Sequence, residues 1–209
     1  MTSAADLVKE IRASAERLVE ASSTLIVVHS FAASAELVCR GIEQAAGYFT
    51  GAQARRVSRA SFLRFAEHYL PELGRTRVCA ASGNAAILAA GAAASCRRSG
   101  GLFTIVPATT ASEDAGVTCA EAVYAAWQGG LFHDGERATG VRVVDDKGRW
   151  MLSFLADGSA RLNAIPFQSQ FERGLKHYLA DLARDAELGA RAERRSAFLS
   201  KPAFAQRSG

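Results

Sequence analysis

The stretch Val141-Arg142-Val143-Val144-Asp145-Asp146-Lys147-Gly148-Arg149-Trp150-Met151-Leu152-Ser153-Phe154-Leu155-Ala156-Asp157-Gly158-Ser159-Ala160-Arg161-Leu162-Asn163-Ala164-Ile165 decides how the chain is read. Before it, apolar residues recur at helical spacing. Within it the period falls to two, and Asp145 to Gly148 and Asp157-Gly158 punctuate three short runs. Glycine after aspartate supports the tight turns of antiparallel hairpins, so residues 141–165 predict a three-stranded antiparallel β-meander closed by Pro166. After it, Phe167, Phe171, Leu175, Tyr178, Leu179 and Leu182 fall on one helical stripe, and the pattern continues past Leu188 as a last long helix.

Upstream, Leu7, Val8, Ile11, Ala15 and Leu18 mark a helix over residues 3–20. A hydroxyl at Ser22 or Ser23 can cap a second helix from Thr24 to about Gly47. Its first half, with His29 inside Leu25 to Phe31, reads as apolar nearly all round and therefore buried. Gly47 to Arg56 reads as a loop. Phe62, Phe65, Tyr69 and Leu70 form an aromatic stripe that Pro71 ends. A helix is expected over about 84–95, an extended run at Leu102 to Val106, and another helix from Glu113 or Asp114 to Gln128. The fold class is mainly α: a helical bundle with a small three-stranded antiparallel meander before the last long helix. Residues 1–190 form one domain, and 191–209 a basic, flexible tail.

The 209 residues carry 25 Lys and Arg against 21 Asp and Glu, and all but four of those cations are arginines. With 42 alanines, that bias fits a GC-rich coding sequence better than a dedicated nucleic-acid stripe. Residues 78–112 contain only Arg97 and Arg98 as charges. Val78 to Cys96 has membrane-span length, but its Ala, Gly and Ser content reads as a tightly packed soluble element. Met1 to Glu20 has no apolar core of a signal peptide, so a cytoplasmic location is expected. Cys39, Cys79, Cys96 and Cys119 are widely spaced, which offers neither a zinc site nor a disulfide framework.

The chain lacks the glycine-rich phosphate loops, the nucleophile elbow and the paired-histidine zinc motif, and no cofactor or metal is expected. His68 and His177 lie in amphipathic helices beside core aromatics, each four residues after an arginine (Arg64 and Arg173), and read as structural. His133 ends a helix just before the sheet and is followed by Asp134 and Gly135. A histidine so placed can transfer protons near neutral pH; the structural alternative is a helix-capping or core-edge residue.

The string Gln128-Gly129-Gly130-Leu131-Phe132-His133 resembles the signature helix of HEPN-type proteins: an arginine, a polar residue, three more residues and a histidine. The order of an aromatic helix, a His helix, a small meander and a closing helix is similar over about residues 24–190. Gln128 stands where the arginine belongs. The resemblance implies a homodimer and a metal-independent endoribonuclease, in which the His and Arg assist attack of a ribose 2′-hydroxyl on the adjacent phosphate. His133 and Gln128 are then the candidate catalytic pair, with Asp134 and Arg137 supporting. Arg137 supplies the missing cation only if its loop folds back. Without that charge the implied function is RNA or partner binding with impaired or absent cleavage, in a bacterial toxin–antitoxin or phage-defence system. Two readings remain beside it: an α-helical dimer or scaffold packed through residues 78–96, and an enzyme whose site converges from distant positions.

Overall fold

The computed structural model describes residues 4–75, 77–79, 104–106, 117–134, 141–145, 151–154 and 160–201. Helices dominate: α1 (Ala4–Val27), α2 (Phe31–Thr50), α3 (Arg59–Tyr69), the single turn α4 (Pro71–Gly74), α5 (Cys119–Gln128), α6 (Ala164–Leu182) and α7 (Ala186–Leu199). The strands are β1 (Arg77–Cys79), β2 (Thr104–Val106), β3 (Val117–Thr118), β4 (Phe132–His133), β5 (Val141–Val144), β6 (Leu152–Phe154) and β7 (Ala160–Asn163). The central helix is α2, which packs against α1, α3, α5, α6 and α7. Its Val38, Cys39, Ile42 and Ala46 are almost fully buried, and Phe62, Phe65, Phe171 and Tyr178 complete the core around it.

The boundary between the first two helices differs from the expected one. Ser22, Ser23 and Thr24 do not cap a new helix. Ser23 and Thr24 donate their hydroxyls back to the Val19 and Glu20 carbonyls, four residues earlier, which keeps them inside α1. Ser22 is buried and hydrogen-bonded to the Ser34 hydroxyl at 2.7 Å, tying α1 to α2. The chain turns instead at Val28 to Ser30, with His29 in the left-handed region at φ 57°. The stretch expected to be buried is therefore a corner: Val27 and Val28 are 76% and 62% exposed, and His29 is exposed.

The antiparallel meander is overturned by the strand order β4-β5-β7-β6. β5 pairs parallel with both β4 and β7, and β6 lies on the far side of β7, antiparallel to it. The Asp145 to Gly148 signal therefore joins no hairpin between β5 and β6. Residues 145–159 give the length of about a dozen residues that a parallel crossover needs. The register sets Val143 beside Leu162 and Leu162 beside Leu152, so three buried aliphatics line up across the sheet. A meander that placed β6 between β5 and β7 would separate Val143 from Leu162. A second sheet, β2-β1-β3, is antiparallel throughout.

The last long helix is two helices. α6 ends at Leu182, and the Asp185 carboxylate starts α7 by accepting the Glu187 and Leu188 amides at 2.8 and 3.2 Å. Residues 191–199, read from sequence as a flexible tail, belong to α7, because Leu188, Ala192 and Arg195 are buried along it. α5 begins at Cys119, where Thr118 and Glu121 form a capping box. α3 ends at Tyr69, just before Pro71 as expected, and Pro71 opens the single turn α4. The helix expected at 84–95 and residues 202–209 lie outside the described residues. Among the described residues, no helix is long and apolar enough to cross a membrane.

Candidate functional site

The string Gln128 to His133 is divided between a helix and a strand. α5 closes in a left-handed cap: Leu131 N–H donates to the Ala126 carbonyl at 2.8 Å and Gly130 N–H to Trp127 at 3.1 Å, with Gly130 at φ 64°. Only a residue without Cβ takes that φ cheaply, so Gly130 ends the helix here. Gln128 is its last residue, and His133 lies beyond the turn in β4, opposite Arg142 of β5 and only 7% exposed. Among the described residues no cluster of three His, Cys, Asp or Glu side chains could hold a metal. Arg137 lies outside the described residues.

Asp134 has a structural task. Its Oδ1 accepts the Ala32 amide of α2 at 2.6 Å, while Ser30, the residue that starts α2, makes no side-chain cap. A carboxylate there satisfies an amide that the helix itself leaves unpaired and opposes the helix dipole favourably. Asp134→Ala is expected to destabilise the protein by about 1 kcal/mol. Asp134→Asn, which keeps an acceptor, is expected to recover most of this in chemical denaturation.

Gln128 and its neighbour Trp127 instead line an open groove of about 530 Å³ with Arg40, Glu43, Arg55 and Arg56. Arg40 and Glu43 come from α2, Arg55 and Arg56 from the α2–α3 loop, and Trp127 and Gln128 from the end of α5. Trp127 is held by Phe62, with ring centroids 6.1 Å apart and planes at 28°, and edge-on by Tyr124 at 6.0 Å. The Arg59–Glu121 ion pair, at 2.8 Å, joins α3 to α5 beside it.

Residues far along the chain hold the arginine-bearing loop. Val57 N–H donates to Glu43 Oε1 at 3.3 Å. From α7, Arg195 donates to the carbonyls of Ala52 at 2.9 Å, of Arg55 at 3.3 Å and of Ala54. Arg195 is 5% exposed; burial draws its guanidinium below the ordinary value, against the opposing pull of Tyr48 and Glu43. An arginine resembling its neighbours in the supposed tail thus organises the loop.

No known family, characterised protein or solved structure matches this chain.

The groove therefore stands on its own residues. Sequence reasoning singled out Gln128 and missed Arg40, Arg55, Arg56 and Arg195. The adjacent pair Arg55-Arg56 in a loop next to an aromatic helix is the one local signal that could have raised it. His133 lines neither this groove nor the larger cleft on the far half of α3.

Proposed function

We propose that this protein binds single-stranded RNA in the groove around Trp127 and Gln128 and does not cleave it. The observation that carries the reading is the meeting of Arg40, Arg55 and Arg56 with a rigidly held indole in one open groove. Guanidinium groups neutralise phosphates, an indole face stacks on a base, and a carboxamide can both donate to and accept from a base edge. Cleavage by the implied route needs a proton-transfer group within hydrogen-bond reach of the ribose, together with a cation at the phosphate. His133 is enclosed in β4, and the string offers Gln128 in place of that cation. The HEPN likeness of residues 128–133 extends the reading to a homodimer in a bacterial toxin–antitoxin or phage-defence system, placed in the cytoplasm.

Fluorescence anisotropy with labelled mixed-sequence RNA, titrated over a range of salt, tests the proposal. Affinity is expected to fall steeply with salt, and Arg40→Gln/Arg56→Gln to reduce the logarithmic salt slope by roughly 1.4, about 0.7 per lost phosphate contact. The RNA is expected to remain intact with wild type and with His133→Ala. Salt-insensitive binding, or RNA cleavage abolished by His133→Ala, would overturn the reading.

A further inference from the structure

The larger cleft, about 810 Å³, lies between the C-terminal half of α3 and the turn joining α6 to α7. Four arginines and three carboxylates line it, but their commitments differ. The Tyr69 hydroxyl donates to Asp181 Oδ2 at 3.2 Å, and burial beside that carboxylate pushes the phenol well above its usual range, so it stays protonated. Asp185 accepts the two amides that begin α7. Asp181 and Asp185 are thus tied to donors of the fold, and the third carboxylate, Glu67, is exposed on α3 one position before His68.

On the cationic side, Arg75 Nε is fixed on the Glu67 carbonyl at 3.2 Å, and Arg191 is tied to Glu187 and to the Phe49 carbonyl at 3.5 Å. Arg64 and Arg184 face the cleft from opposite walls and make no ion pair among the described residues. Beside Arg64, one turn further along α3, His68 presents a ring whose position is set by Phe49 (5.7 Å, planes at 28°) and Tyr69 (4.6 Å, edge-on). Phe49 and Tyr69 line the floor, and the buried Phe65 and Tyr178 pack against them.

We propose that this cleft is a binding site for an organic phosphate of nucleotide size, held by Arg64 and Arg184 through its phosphoryl oxygens with a planar group against His68. Arginine forks match phosphate oxygens in pairs and hold them by charge-assisted hydrogen bonds. The volume is that of a small-molecule site and far exceeds a bare phosphate ion. The rigid ring floor costs little ordering on binding. This site is separate from the RNA groove and stands or falls without it.

Isothermal titration of the full chain with ADP, adenosine and citrate tests the proposal. ADP is expected to bind with an affinity that falls as salt rises, and adenosine and citrate to bind far more weakly. Arg64→Gln/Arg184→Gln is expected to weaken ADP by at least about tenfold, the loss of one charge-assisted contact or more. The charge-matched Arg12→Gln/Arg17→Gln on α1 is expected to bind ADP as wild type does. Absence of ADP binding at millimolar concentration, adenosine or citrate binding as tightly as ADP, or equal weakening by the α1 control would each overturn it. Wild-type salt dependence gives a reading that needs no variant.

Discussion

Gly174→Ala is expected to lower stability by about 3 kcal/mol, at the upper end of overpacking costs. Gly174 lies in the middle of α6, where alanine ordinarily gains about 0.5–1 kcal/mol over glycine by helix propensity. Here a Cβ would sit 2.4 Å from the Tyr69 carbonyl oxygen and 2.4 Å from Leu70 Cδ2. The carbonyl is backbone at the last residue of α3, with α4 following at once from Pro71, so it cannot swing aside as a side-chain tip would. α6 must retreat from α3, whose Tyr69 also lines the larger cleft. In thermal denaturation the loss corresponds to a fall of about 6–12 °C for a chain of this size. Gly189→Ala on α7 is the matched comparison: nothing lies within 4 Å of its Cβ position, so the same substitution is expected to stabilise slightly. If both variants shift stability in the same direction, the close approach of α6 to Tyr69 is not what glycine serves at 174.

The contrast shows what a sequence holds and what it does not. The helical stripes were legible because burial imposes a period: Leu7, Ile11 and Ala15 on α1, Phe62, Phe65 and Tyr69 on α3, and the six apolar positions of α6 from Phe167 to Leu182 are all buried. Strand partners were half legible: β6 and β7 pair antiparallel, as the Asp157-Gly158 signal predicts, but the place of β5 was not. β5, β6 and β7 have similar short alternating patterns, so period alone could not say that β7 would come to lie between β5 and β6. Hydroxyl residues were ambiguous for a different reason. Ser23 and Thr24 satisfy a helix start and a back-bonded helix interior equally well, and only the neighbouring α2, which takes the Ser22–Ser34 bond, decides between them.

The site was least legible. Asp134 looked like a partner for His133, its neighbour in sequence, yet its carboxylate serves an amide 102 positions away. The groove draws on α2, a loop and α5, and its cations are ordinary surface arginines until the fold brings them together. Arg194 and Arg195 are adjacent and chemically identical, but one is exposed and the other is among the most buried polar residues of the described chain. No composition or spacing argument separates them. What does is the set of loop carbonyls waiting at the place where α7 passes α2.

Arg195→Met is expected to cost about 2 kcal/mol and, with it, the RNA affinity of a groove that Arg195 does not line. Methionine keeps much of the aliphatic stem and volume, so the substitution isolates the hydrogen bonds from the packing. Three carbonyls, those of Ala52, Ala54 and Arg55, lose their donor. A buried acceptor left unpaired costs about 1–3 kcal/mol, but residues 53–56 are exposed and their carbonyls can turn to water, so the sum is not lost. Removing a buried guanidinium also removes its desolvation cost, which offsets part of the rest. The larger consequence is geometric. Once the loop is released, Arg55 and Arg56 are no longer fixed opposite Trp127, and affinity for RNA is expected to fall about tenfold, as though a charge-assisted contact had been deleted. Wild type, Arg195→Met and Arg195→Lys compared by urea denaturation and RNA anisotropy decide the matter. Lysine restores the charge but reaches the carbonyls from a single nitrogen, so it is expected to recover part of the stability and little of the affinity. Full RNA affinity in Arg195→Met would mean that the loop holds its own shape and that Arg195 serves only the packing of α7.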